Sequence, residues 1–325
     1  MKVISHSADA DGRLSAFLVA KKYQLVDLND FIMLDYGDGN ESWLSRISPD
    51  EDVVICDFGL QHKTKDMKKL LEVTKNVIWI DHHESTINDY GEMEKEIPGL
   101  RVNGTAACML TYIYFYILGE KDERIIGKRI ELSQETCEKL YNVAPLIVQY
   151  VHDNDVWRYD FGKNTECIKL ALDAIGISSP LDPRWEDLFE NKNNIIDEMI
   201  SNGEKMISFR DSIGDNACKS YGFEVDLCGW HGFALNNTFG GSPWFGDRQK
   251  QYDFTCAFCY QPKTKTWEYS FYVDPSKDAN AFKIAQSINP EGGGHKGAAG
   301  FRSDRELFKS GNIFRIRMYD RKESR

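Results

Sequence analysis

The 325-residue chain lacks any apolar run approaching the ~20 residues that span a bilayer, so no membrane segment is expected. The stretch before its first acids, MKVISHSADADG, is too poor in apolar residues for a secretory leader. Its eight cysteines form no even framework, and reduced thiols in a cytoplasmic compartment are the expectation. An excess of basic charge is missing too: 51 acidic against 40 basic residues leave a formal charge of −11. Proteins that track polyanions are usually basic, because phosphate contacts supply most of their non-specific affinity. Long duplex nucleic acid is therefore not expected as a partner, whereas a small phosphorylated substrate held through bound cations fits the charge. Internal repeats and low-complexity segments are also absent.

One tempting motif fails for want of a single residue. HSADADG, residues 6 to 12, contains the Asp-x-Asp-Gly centre of an EF-hand loop. With Gly12 in the loop's sixth position, its last position falls on Leu18, where a bidentate glutamate is required. Calcium is not the answer.

What the chain does contain is an alternation of short apolar runs and helical patterns over its first ~100 residues, the mark of a parallel α/β sheet. KVIS leads to His6, FIML to Asp35, DVVIC to Asp57 and NVIWI to Asp81, His82 and His83. Strand carboxyl ends form the ligand crevice of open α/β sheets, so these distant residues should meet at one edge. Further on, residues 103–119 read as an apolar helix capped by Thr105, and 133–151 as a second helix leading into HDNDVWRYD. Residues 184–213 read as one long helix, and the pattern beyond it turns strand-rich. At roughly 150 residues per domain, the length allows two domains.

Four of the seven histidines lie in acid-rich or glycine-rich segments: His6, His82, His83 and His295. Imidazole and carboxylate without thiolate suit Mn²⁺, Fe²⁺, Co²⁺ or Zn²⁺, manganese being favoured where oxygen ligands dominate. The ligands exceed the needs of one ion. Two ions ~3.5–4 Å apart, sharing a bridging carboxylate, would use them all.

The segments HSADADG, VVICDFG, IWIDHHES, YVHDNDVW and GGGHKGAAGF, in this order, resemble the motifs of the DHH phosphoesterase family. The last resembles the signature of its C-terminal DHH-associated domain. The resemblance implies an α/β architecture: a mainly parallel-sheet catalytic domain at 1–183, a helical linker at 184–214 and a smaller α/β substrate-binding domain at 215–325, with a cleft between them. It further implies that His6 and Asp9 bind one divalent cation and Asp11 the other, that Asp57 bridges both, and that His82 and Asp153 complete the second site. Asp153 is taken ahead of Asp155, with His152 beside them. His83 would reach the substrate phosphate and Asp81 would orient the histidines. The activity implied is that of a phosphodiesterase of the nanoRNase (oligoribonuclease) type, acting on short oligonucleotides or small nucleotides and admitting a homodimer. Linear or cyclic dinucleotides and 3′-phosphoadenosine 5′-phosphate stand as alternative substrates. A non-catalytic nucleotide sensor is the alternative of another class.

Other signals carry two readings. Gly292, Gly293, Gly294 and His295 read either as a tight turn between helix and strand or as an anion-binding nest for the substrate. Cys256 and Cys259 have no second pair and read as core rather than zinc ligands. Lys63, Lys65, Lys68 and Lys69 read as a solvated helix face rather than as a phosphate-attracting patch. Phe239, Trp244 and Phe245, with Arg248, read as loop anchors or as base-stacking rings. Gly12 is expected to let the chain turn into its helix.

Overall fold

The computed structural model describes residues 1–36, 41–60, 64–237 and 241–308. In it each early apolar run becomes a strand: β1 (Lys2–His6), β2 (Phe31–Leu34), β3 (Val53–Cys56) and β4 (Val77–Asp81). With β5 (Gly99–Arg101) and β6 (Arg129–Ile130) they form one sheet in the order β2-β1-β3-β4-β5-β6, every pair parallel. A parallel sheet is covered on both faces, so its central strands are apolar throughout. Val53, Val54, Ile55 and Cys56 are accordingly all buried. Full burial of each aliphatic side chain contributes about 1.5–3 kcal/mol.

Two compact units, Met1–Met206 and Ile207–Arg325, divide within the helix Ile195–Tyr221. In the first, aliphatic and aromatic clusters pack on the sheet. One gathers Val3, Val54 and Ile80 with the helix Ala10–Tyr23; the other gathers Ile4, Ile55 and Trp79. In the second unit, β7 (Gly222–Leu227), β8 (Trp230–Asn236), β9 (Phe254–Gln261), β10 (Thr266–Tyr272), β11 (Gly293–Gly294) and β12 (Ala298–Ser303) form a mixed sheet. Its order is β11-β12-β10-β9-β8-β7, and only the β8–β9 pair is parallel. The helix Ala281–Ile288 packs on it through Ala281, Ile284 and Ala285. Both units are α/β, as the sequence implies.

Three helices depart from expectation. The stretch expected at 103–119 is helical from Ala107, but the turns of Ile113–Leu118 widen to π geometry. Thr105 is buried and does not cap it; the cap position is Ala106. The stretch 133–151 is two helices, Gln134–Tyr141 capped by Ser133 and Leu146–Asp155 starting after Pro145. Proline lacks the N–H that a continuous helix would need there. The long helix at 184–213 is split into Arg184–Phe189 and Ile195–Tyr221 by Asn191 and Asn193, both at positive φ, which asparagine tolerates better than most residues. All eight cysteines are free thiols. No helix among the described residues is long and apolar enough to cross a membrane.

Candidate metal centre

The sheet register assembles the centre. Ser5 pairs with Cys56 and Cys56 with Ile80, so one step further the row reads His6, Asp57, Asp81. On the other side His6 is level with Leu34, one residue before Asp35. The strand order reverses between β1 and β3, and such switch points are where open α/β sheets bind ligands. Asp9 caps the helix Ala10–Tyr23, accepting from Gly12 N at 3.0 Å. Gly12 is required here for space, not for a turn: it is not at positive φ, and a Cβ on it would lie 2.2 Å from His6 O. Gly12→Ala is therefore expected to cost about 1–3 kcal/mol by overpacking. A melting temperature equal to wild type would show that the helix can shift away from β1.

Three groups of ligand atoms converge, each within 4.8 Å: His6–Asp9–Asp57, Asp11–His82–Asp155 and Asp57–His82–His83. Nδ1 of His6 is 2.9 Å from Asp9 Oδ2 and 3.8 Å from Asp57 Oδ2. Nε2 of His82 is 3.3 Å from Asp57 Oδ1, 3.4 Å from Asp155 Oδ2 and 3.7 Å from Asp11 Oδ2. Asp57, at φ 55° and buried, stands in two of the groups. A left-handed aspartate is uncommon and concentrates at functional positions. Asp81 accepts from His82 N (2.7 Å), His83 N (3.2 Å) and His83 Nδ1 (2.8 Å), which fixes both histidines and leaves Nε2 of His83 unused by this contact.

The fourth motif resolves differently from expectation. Asp153 and Asp155 lie on the helix Leu146–Asp155, and positions two apart on a helix point about 200° apart. Only one can face the cluster, and it is Asp155. Asp153 is fully buried and accepts from Asp160 N at 2.8 Å and from the Thr165 hydroxyl. His152 also faces inward: its Nδ1 accepts from Ala106 N at 3.0 Å. Burial holds its pKa down at about 4, so the ring is neutral. Asp11 accepts from Ala107 N (2.8 Å) and Cys108 N (2.7 Å), doing for that helix what Thr105 was expected to do.

Electrostatically the cluster wants cations. Burial, then the charges of Asp11, Asp9, Asp81 and Asp155, push the Asp57 carboxyl well above its ordinary value. Burial and Asp11 raise Asp155 to about 7. Oδ2 of Asp57 and Oδ2 of Asp155 are buried with no hydrogen-bond partner. Such oxygens are costly unless something satisfies them. His83 is raised by its hydrogen bond to Asp81, which favours the protonated donor form. The donor set, imidazole and carboxylate only, fits hard or borderline divalent ions.

Two residues at the centre lie outside the ligand set implied by the sequence. Asp35 Oδ1 lies 3.3 Å from His6 Nε2, and its signal was present as an acid at a strand end. The Tyr36 ring packs, tilted, 4.6 Å from Phe58 and 5.4 Å from His6, its hydroxyl accepting from Gly59 N. Burial lifts that hydroxyl to about 12. Nothing in the local sequence marks this tyrosine.

In the second unit the glycine segment is a β-hairpin, not a turn between helix and strand. Gly293 pairs with Gly300 and Gly294 with Ala299, and Gly294 sits at φ 132°. The N–H of Gly292 donates to Asn289 O and that of His295 to Ala298 O, so these two amides are not available to a nest. Gly292 is buried, whereas Gly293, Gly294 and His295 are exposed. Cys256 is buried in β9 and Cys259 partly so. Phe245 is fully buried against Phe233 and Tyr272, so it cannot stack on a base; Phe239 lies outside the described residues. Lys65 and Lys68 are exposed, Lys69 is partly so, and Lys63 lies outside the described residues.

Neither a family model nor a curated protein matches this sequence. Its structure is similar to that of PggH from Vibrio cholerae, a pGpG-specific phosphodiesterase, with a TM-score of 0.51 and 13% identity over 93% of each chain. It is also similar to the DHH domain of a member of the s1p family of ribosomal proteins, at a TM-score of 0.51 and 15% identity. That match covers 92% of this chain and 82% of the other. At such identities the likeness is one of architecture: the chain shares the fold of these two proteins, one of which is a DHH domain.

Proposed function

We propose that this chain is a metal-dependent phosphodiesterase that hydrolyses short oligonucleotides or small nucleotides. The observation that carries the reading is Asp57: a buried carboxylate shared by two ligand groups, with one oxygen that accepts no hydrogen bond. His6, Asp9 and Asp57 would hold one divalent cation, and Asp11, His82, Asp155 and Asp57 the other, Mn²⁺ being favoured by the oxygen-rich set. Bound there, two such ions supply an acidified water at neutral pH and neutralise phosphoryl charge.

The protein's own groups do the rest. Asp81 holds the His83 ring by its Nδ1 hydrogen, so Nε2 can donate to a phosphoryl oxygen as charge develops there. The same carboxylate fixes the backbone of His82 and His83, so the donor is oriented before substrate arrives. In the second unit, the exposed Gly293–His295 hairpin offers an imidazole for substrate phosphate or ribose. All eight thiols being free suits a reducing, cytoplasmic setting.

The purified chain with Mn²⁺ should turn over at least one member of a panel. The panel comprises pApA and pGpG dinucleotides, two-to-five-nucleotide RNA and DNA, cyclic dinucleotides and 3′-phosphoadenosine 5′-phosphate. Metal bound without turnover of any member would sink the enzymatic reading and favour a nucleotide sensor.

A further inference from the structure

We infer that Trp157 and Tyr159 form a stacking platform for a base of the substrate, placed beside the metal centre by the turn that follows Asp155. The inference deepens the function proposed above and rests on it.

Trp157 is 78% exposed and Tyr159 41% exposed, and their rings meet edge-to-face at 6.2 Å. Both residues lie in the left-handed region, at φ 58° and φ 55°. For bulky residues this conformation is a genuine outlier and stores backbone strain. Glycine would adopt it freely, yet tryptophan and tyrosine stand there. The turn is held in this shape from beneath. Asp153, buried, accepts from Asp160 N, and its backbone carbonyl accepts from Arg158 N at 3.0 Å. The Arg158 guanidinium lies 5.2 Å over Tyr141, and Phe161 packs 4.3 Å from Tyr150. Arg158 and Phe161 thus anchor the turn, while the two rings between and beside them are left to solvent.

Position supplies the occupant. Two peptide units separate Trp157 from Asp155, which puts their Cα atoms within ~7.6 Å. Asp155 Oδ2 is itself 3.4 Å from His82 Nε2. A phosphodiester held at the cluster carries its nucleosides within reach of that turn. Aromatic rings accept any base, because every base has a π face. The platform would therefore favour nucleotide over non-nucleotide esters without selecting sequence.

Trp157→Gly separates this role from a structural one, because it removes the ring and relieves the strain together. The expected result is a melting temperature equal to or above wild type, with KM for pApA raised about 10-fold, within the range that loss of one stacked base produces. The turnover number should change little. Trp157→Phe should restore most of the lost KM. A dinucleotide analogue with abasic sugars should show no difference between wild type and Trp157→Gly. If the wild type hydrolyses nothing, the proposed activity fails, and calorimetric binding of pApA to wild type and Trp157→Gly still decides the platform. Equal KM or Kd for pApA in the two proteins would overturn it, as would a fall in melting temperature with the abasic analogue equally impaired.

Discussion

Asp155→Asn should lose metal affinity and metal-dependent turnover by roughly 10²-fold or more while keeping its thermal stability, and Asp153→Ala should do the opposite. Altering even a group that only orients a metal ligand costs 10–100-fold, so replacing a direct ligand should cost at least the upper end. Asp155 has a buried oxygen that accepts no hydrogen bond, so the protein gives up none there when the charge is removed. Asp153 holds the amide of Asp160 and the hydroxyl of Thr165 inside a fully buried pocket. Removing it strands both donors. Each hydrogen bond to a charged group contributes about 1.5–3 kcal/mol, so a loss on the order of 3 kcal/mol is expected. Titration calorimetry with Mn²⁺, paired with thermal denaturation, reads the two effects separately. A destabilised Asp155→Asn that still binds Mn²⁺, beside a stable Asp153→Ala that does not, would restore Asp153 as the ligand.

This contrast shows where the sequence was legible and where it was not. The four strand ends carrying His6, Asp35, Asp57 and Asp81 follow from alternation of apolar runs and helices, and the parallel register then places them in one row. That much is periodicity. The choice between Asp153 and Asp155 depends on HDND being helical, and a four-residue polar stretch has no period of its own. The same applies to Thr105: its role passed to Asp11, almost a hundred residues away, through a contact that only tertiary structure creates. The glycine segment suggests freedom of φ, yet only Gly294 of Gly292–Gly294 uses it. Gly292 is there because a Cβ would lie 2.8 Å from the backbone of Ala285. Close approach between elements leaves no local trace.

Asp57→Asn should abolish turnover and yet make the metal-free protein more stable at neutral pH. Its folded-state pKa is raised by burial and by Asp11, Asp9, Asp81 and Asp155, and that of Asp155, raised by burial and Asp11, lies at about 7. A carboxyl raised above its unfolded value binds more protons when folded, so its contribution to stability falls as pH rises from about 4 through the folded pKa. Below pH ~4 both states are protonated and the penalty vanishes. The wild-type metal-free chain should therefore lose stability from these groups between pH 5 and pH 7.5. Removing the Asp57 charge relieves its own burial and lets Asp155 ionise more readily, so the variant's loss over that window should be smaller. Divalent cations reverse the sign in the wild type: they displace the protons, so Mn²⁺ should bind more tightly as pH rises and release protons on binding. Melting curves at pH 5 and 7.5, with and without Mn²⁺, give all four numbers. The variant should gain little from Mn²⁺ at either pH, because the carboxylate that stands in two of the three ligand groups, and is proposed to serve both ions, is gone. A variant less stable than wild type without metal at pH 7.5, or one stabilised by Mn²⁺ as strongly as wild type, would show that Asp57 holds the fold together rather than the ions.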